Sequence, residues 1–300
     1  MSAGLPAPGV RPGDHVLLYD KPAGMTSHDV VAAVRRGLPR RTKVGHAGTL
    51  DPFATGLLLI LVGRATRAQR FLMELPKRYE VVARFGATST TGDPEGEITH
   101  TGRVPRGELE LPVGRVRQRP PAYSAVKVQG RRAYQLARAG VDVQLAEREV
   151  RVYRFEQLWQ RDDRRAFVID CSSGTYVRSL IADLGDAYCE QLRRTRVGDF
   201  EVTDADPGRP VPLADALTFL PEVRLAGEDA RRAAHGARVP VPSGEGMAGA
   251  GSSPLSGEAA PAPGTFRLTD ESGLIALARL EPDGRSLRPV VGLRGAEGGA

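Results

Sequence analysis

Cysteine is nearly absent: Cys171 and Cys189 are the only two in 300 residues. That is too few for a disulfide framework, so the core must come from apolar packing, and the pair reads as buried thiols of a reducing cytoplasm. Histidine is sparse as well. His15, His28, His46, His100 and His235 show no HxxH or HxE spacing, and the cysteines form no CxxC pair. A zinc site, and with it the zinc-activated water of nucleobase deaminases, therefore has no ligand set, and no metal is expected. No Gly-Lys-Ser/Thr follows a glycine-rich turn, which excludes a Walker-type phosphate loop. Apolar runs never reach 18 residues, and the Gly/Pro-rich lead from Met1 to Pro12 lacks a cationic stretch before an apolar one. Neither a membrane span nor a signal peptide is expected, and residues 1–12 read as a flexible terminus.

What is present fits a globular protein of about two domains, with 41% hydrophobic residues. The net charge is +6 and the pI about 9.6. The distribution says more than the total. From Val30 to Leu50 there are five cations (Arg35, Arg36, Arg40, Arg41, Lys43) and no acid; from Leu111 to Arg138 there are seven, again with no acid. A charge run by itself is usually a solvated face. Two acid-free tracts flanking one glycine-rich loop point to a phosphate-backbone footprint, with Arg40, Arg41 and Lys43 as candidate contacts.

The pattern along the chain predicts an α+β fold. His15–Tyr19 reads as a strand. Ser27–Gly37 reads as a helix, with Thr26 and Asp29 at capping-box spacing and Val30, Val31 and Val34 on one face. Leu57–Val62 is a buried strand, and Tyr79, Val81, Ala83 and Phe85 alternate with polar or exposed positions as a half-buried one. Thr88–Gly102 is expected to be an exposed loop or helical hairpin, Arg131–Ala139 a short basic helix, Glu149–Trp159 and Arg165–Cys171 paired strands, and Tyr176–Tyr188 a helix. Single helices among strands without regular βαβ spacing favour a mixed or antiparallel central sheet. From about Pro212 the character changes. Of the 24 residues from Val241 to Gly264, 19 are Gly, Ala, Pro or Ser, too apolar-poor to fold. Strand patterning resumes at Phe266–Leu268, Gly273–Leu280 and Leu287–Leu293. The expected organisation is a catalytic body over 13–212 and a small β domain over 213–300, carrying a low-complexity insertion at 241–264.

One segment concentrates the chemistry: Gly45-His46-Ala47-Gly48-Thr49-Leu50-Asp51-Pro52-Phe53-Ala54-Thr55-Gly56. Its glycines allow backbone paths closed to other residues, and Pro52 fixes φ directly after the acid. An isolated Asp-Pro pair more often marks a turn with a capping carboxylate. Here the twelve residues resemble the catalytic signature of the TruB-type tRNA pseudouridine synthases. Further motifs, in the same order, are similar to those of that family: Lys21-Pro22-Ala23-Gly24-Met25-Thr26-Ser27, Lys77-Arg78-Tyr79-Glu80, Pro121-Ala122-Tyr123-Ser124-Ala125-Val126-Lys127, Ser173-Gly174-Thr175-Tyr176-Val177-Arg178 and Leu192-Arg193-Arg194-Thr195-Arg196.

The resemblance implies the pseudouridine synthase fold with a C-terminal PUA-like domain, and isomerisation of the uridine at position 55 in the tRNA T loop. It makes Asp51 the nucleophile, Arg178 the cation that keeps it ionised, and Tyr79 the ring against which the uracil stacks. His46 is tied to displacing the base, and Tyr176 to substrate binding; Lys21 and Tyr123 border the cleft, where they position RNA or support Tyr79 and Asp51. Breaking the C1'–N1 bond and rebuilding at C5 involves neither redox change nor net hydrolysis, so no cofactor is implied. The expected partner is tRNA, the expected state a monomer. A rival reading is a non-catalytic tRNA-binding or folding protein on the same scaffold; the two part at Asp51, Tyr79 and Arg178.

Overall fold

The structure is a computed structural model and describes residues 13–124, 127–128, 130–139, 141, 145–242, 247–248 and 264–294. The Met1–Pro12 lead and most of Val241–Gly264 lie outside the described residues.

Between Thr55 and Val62 every residue after the first is buried, and the side chains divide by the strand period of two. Leu58, Ile60 and Val62 enter one core, Leu57, Leu59 and Leu61 another. A strand covered on both faces belongs in the middle of a sheet. In chain order the strands of the first part are β1 (His15–Lys21), β2 (Val44–His46), β3 (Thr55–Val62), β4 (Lys77–Phe85), β5 (Ala87–Ser89), β6 (Ile98–His100) and β7 (Gly114–Gln118). There follow β8 (Lys127–Val128), β9 (Arg131–Arg132), β10 (Arg148–Arg161), β11 (Arg164–Cys171), β12 (Ala187–Val197), β13 (Phe200–Glu201) and β14 (Val211–Pro212). The large sheet has the order β14-β1-β3-β12-β4-β11-β10-β7, with β2 added to β3 and β13 to β12. Its pairs are antiparallel except β12 with β3, so the sheet is mixed.

Helix α1 (Ser27–Arg36) begins with the capping box: the Thr26 hydroxyl accepts from the Asp29 N–H at 3.1 Å and the Asp29 carboxylate from the Thr26 N–H at 2.9 Å. Its Val30, Val31 and Val34 pack into the first core. Helix α2 (Gln69–Glu74) and the turn before it cover the opposite face, in the second core.

Three expectations are corrected. Thr88–Gly102 is largely exposed, as expected, but it is a β-hairpin and not a bare loop or a helical hairpin: β5 and β6 pair, Ala87 opposite His100, and their connection folds Asp93 inward. The helix expected over Tyr176–Tyr188 is only α4 (Val177–Ala182); past Gly185, at φ 135°, buried Ala187, Tyr188 and Cys189 pair with β4 instead. The 131–139 segment opens with β9 before its helix, Ala133–Arg138. After β14, Leu213, Leu217 and Leu220 still pack under the large sheet, and the second sheet begins at Glu222. Its order is Val239–Pro240, Ser286–Gly292, Gly273–Leu280, Thr265–Asp270, Glu222–Arg224, Met247–Ala248. Helix Gly227–Ala234 packs on this sheet through Ala230 and Ala233. Among the described residues no helix is long and apolar enough to cross a membrane.

Candidate active site

Asp51 lies between β2 and β3, on a loop whose carbonyls are taken up one after another. The Ser27 hydroxyl accepts from the Leu50 N–H at 2.9 Å and donates to the Leu50 carbonyl at 3.1 Å. Lys21 Nζ donates to the carbonyls of Pro22 (2.9 Å), Met25 (2.7 Å) and Pro52 (3.2 Å). The Gly24 N–H also reaches the Pro52 carbonyl, at 2.9 Å. From β12, Arg194 donates through Nε to Leu57 O at 2.7 Å and through a terminal nitrogen to Gly48 O at 3.1 Å. Gly56 makes this crossing possible: it has φ 103°, and a Cβ there would stand 2.2 Å from the Arg194 carbonyl oxygen. The loop is thus over-determined on both sides of the acid, which orients Asp51 before any substrate arrives.

Arg178, second residue of α4, places Nε 2.9 Å from Asp51 Oδ2. It does not grip that carboxylate with both nitrogens. One terminal nitrogen goes to Asp93 Oδ2 at 3.0 Å and the Thr91 carbonyl at 2.6 Å, the other to the Tyr123 carbonyl at 2.9 Å. Asp93 in turn accepts from Thr91 Oγ1 at 2.5 Å and from the Glu95 N–H at 3.0 Å. Burial pushes the Asp51 carboxyl above its ordinary value; Arg178 opposes that push and Asp93 adds to it. The Asp51 side chain keeps 32% of its surface open, against 4% for Arg178.

Across a cleft of about 240 Å³ stand Tyr79, Lys77 and Arg194, with Leu192 and Tyr176 also in the lining. Burial pushes the Tyr79 hydroxyl up, with Arg194 opposing. Tyr79 is therefore a neutral phenol at physiological pH: a flat ring with a proton to give. Lys77 Nζ is buried against the carbonyls of Met73 and Leu75, and desolvation lowers it to about 7. The thiol of Cys171 is pushed up by burial to about 12, which leaves it inert.

Of the residues singled out from sequence, Asp51, Tyr79, Tyr176 and Arg178 meet in this one cleft. Tyr123 borders it through the carbonyl that Arg178 engages. Of the two roles open to Lys21, the structure leaves support of the Asp51 loop: it has no exposed surface, so its ammonium is spent on holding the loop, and burial lowers it to about 8. His46 lies on β2 opposite Ile60, outside the cleft lining, and its carbonyl accepts from Gln69 at 2.7 Å. Arg40, Arg41 and Lys43 are exposed on the connection from α1 to β2, away from the cleft. Sequence reading passed over Asp93, Lys77 and Ser27. Ser27 follows the capping Thr26 and was a visible signal; nothing local to Asp93 announces its burial.

Comparison with known proteins bears on the family and the fold. Residues 35–177 match the family model described as TruB family pseudouridylate synthase (N terminal domain). The tRNA pseudouridine synthase B of Thermobifida fusca (strain YX) is 45% identical over 260 residues, 77% of this chain and 88% of that one. Its counterpart in Mycobacterium bovis (strain BCG / Pasteur 1173P2) is 43% identical over 256 residues, 76% and 85% of the two chains. Among solved structures, a chain from the crystal structure of a Cbf5-Nop10-Gar1 complex superposes with a TM-score of 0.65 at 25% identity, covering 93% of this chain and 84% of that one.

Proposed function

The chain belongs to the TruB family of pseudouridylate synthases and isomerises uridine in tRNA; we propose that its target is the uridine at position 55 of the T loop, with Asp51 as the nucleophile. The observation that carries this reading is the contact of Asp51 with Arg178 at 2.9 Å, at the floor of a cleft that also contains Tyr79. A buried carboxyl would otherwise take up a proton. The guanidinium, itself anchored by Asp93, favours the anion needed for attack. An unpaired loop base costs only a few kcal/mol to flip into such a pocket, and Tyr79 offers it a ring to stack on. With its hydroxyl pushed up by burial, Tyr79 acts by stacking and by donating a proton, not as a ready base.

No cofactor or metal is needed for this intramolecular transfer. His46 serves in displacing the base, Tyr176 and Tyr123 line the RNA side, and Arg40, Arg41 and Lys43 hold backbone phosphates. In this reading the catalytic body, expected over 13–212, extends through Leu220, which still packs under the large sheet, and the sheet that begins at Glu222 forms the PUA-like module that extends the RNA footprint, with the 241–264 insertion serving neither task. The enzyme works as a monomer in the cytoplasm.

The test is Asp51→Asn assayed on a T stem-loop with pseudouridine mapped at single-nucleotide resolution. Turnover at position 55 should fall by at least about 10⁴, roughly 5.4 kcal/mol of barrier, with RNA affinity within a few-fold of wild type. Residual activity within tenfold of wild type would falsify the role of Asp51, and modification of another nucleotide would move the target.

A further inference from the structure

Arg148 opens β10, opposite Gln118 of β7, and its guanidinium lies on the wall of the Asp51 cleft. It is held between two surfaces. The Tyr176 ring centroid is 4.6 Å from its Cζ. On the other side is the Gly174 peptide, whose carbonyl oxygen accepts from one terminal nitrogen. Gly174 has φ 81°, and a Cβ there would sit 3.7 Å from the guanidinium carbon and 3.8 Å from both terminal nitrogens. Gln118, nearly fully buried, pins the ring that Arg148 stacks on: its Oε1 accepts from the Tyr176 N–H at 2.7 Å, and its Nε2 donates to the Tyr176 carbonyl at 3.3 Å. The stack is therefore part of the framework of the cleft and not a chance surface contact.

What distinguishes Arg148 from its neighbours is that it combines the absence of a counter-charge with a donor left unpartnered. Arg178 meets Asp51 and Asp93, and Arg194 is enclosed by carbonyls. Arg148 makes no ion pair with any carboxylate among the described residues, and its Nε is buried without a hydrogen-bond partner there. A guanidinium stacked on an aromatic ring is fixed in plane and presents its donors edgewise, the geometry that suits a phosphate. The cleft takes a nucleotide out of a strand, and each nucleotide brings its flanking phosphates to the cleft wall.

We propose that Arg148 contacts substrate directly: its guanidinium, clamped between the Tyr176 ring and the Gly174 peptide, pairs with an RNA phosphate adjoining the uridine that enters the cleft. This rests on the function proposed above.

The experiment compares three T stem-loop RNAs: unmodified, and with one neutral methylphosphonate either 5' or 3' of the target uridine. Wild type, Arg148→Ala and Arg148→Gln are measured for Kd against salt and for single-turnover rate. Loss of one charge-assisted contact should weaken binding of unmodified RNA about tenfold and flatten the slope of log Kd against log salt by about 0.7 to 0.9. In wild type one of the two methylphosphonates should cost about tenfold; in either Arg148 variant the same substitution should cost less than twofold, because the contact is already gone. A purely structural Arg148 would leave that methylphosphonate penalty intact, and equal penalties in wild type and variants overturn the proposal. Arg148→Gln keeps a donor near Gly174 and carries the same comparison if the alanine variant does not fold. Should wild type fail to convert the unmodified RNA at all, the function reading fails instead, a result separable from the phosphate comparison.

Discussion

The two walls of the cleft hold their cations in opposite ways. On one, Arg178 is bound by carboxylates, Asp51 at 2.9 Å and Asp93 at 3.0 Å. On the other, and beneath the loop, Arg194, Lys77 and Lys21 face backbone carbonyls and no carboxylate, with the Tyr79 hydroxyl as a further partner of Arg194. Carbonyl dipoles satisfy N–H groups without cancelling a buried charge. The two lysines pay for this in basicity, falling to about 7 and about 8. The carboxylate wall does chemistry: it positions the nucleophile and keeps it ionised. The carbonyl wall does architecture: Arg194 and Lys21 tie β12 and β1 to the peptide path around Asp51, and Lys77 ties the start of β4 to the end of α2.

The sharpest way to break the comparison is to remove the second carboxylate. Asp93 and Arg178 are each 4% exposed at the side chain, and truncating Asp93 takes away one of the two carboxylates that compensate the buried guanidinium, leaving Asp51 alone to do so. Asp93→Ala should therefore cost about 3–5 kcal/mol in a denaturant titration and, by freeing Arg178 from its anchor, slow catalysis as well. Asp51→Asn should do the reverse to stability. Burial raises the Asp51 carboxyl in the folded state, so at neutral pH its charge opposes folding, and removing it should leave the free protein as stable as wild type or more so. If both variants destabilise equally, the two carboxylates are equivalent structural supports and the division of labour is wrong.

The second prediction probes the carbonyl wall by pH. Lys77 is lowered from 10.5 to about 7, so between those values the unfolded chain binds a proton that the folded protein does not. Stability should rise with pH across that window, by up to about 1.36 kcal/mol per pH unit for one such group. Lys21 adds to the slope above about 8. Lys77→Met should remove the largest share of the slope between pH 7 and 8, where Lys21 contributes least. Unfolding free energies at four or five pH values would decide it, and an unchanged slope would show that Lys77 is solvated when charged.

Much of this frame was legible in the residues. The Thr26/Asp29 box, the valine face of α1 and the alternation in β4 are local codes, each written within a few positions. Asp51, Tyr79 and Arg178 were legible because each sits in a motif. Asp93 was not: it lies in a polar stretch whose composition says loop, and its burial depends on Arg178, 85 residues away. The place of β12 was hidden for the same reason. Its insertion between β3 and β4, parallel to one and antiparallel to the other, is a long-range pairing that no local period encodes, so Ala187 and Tyr188 read as the end of a helix. The choice between the two roles of Lys21 was not legible either, because a lysine in sequence looks like a surface charge until its three carbonyl partners are seen.

The smallest effect on the fold should come from the cations outside both walls. Arg40, Arg41 and Lys43 are exposed on the connection from α1 to β2, and none forms an ion pair among the described residues. Replacing all three by Ala should leave the melting temperature within about a degree, because nothing buried depends on them. Their charge is free to replace counterions on RNA, at about 0.7 to 0.9 per phosphate contact. The slope of log affinity against log salt should then become shallower by about two to three units, and KM should rise more than kcat falls, since these side chains position the backbone and not the reacting base. The contrast with Arg148 is quantitative: one clamped guanidinium should account for less than one unit of slope, yet its loss should be felt at a single linkage. The triple variant should weaken binding without preference for any one phosphate near the target. If its salt slope matched wild type, the loop would be a solvated face, and the cations that steer RNA would have to be sought along the Arg115–Arg138 tract.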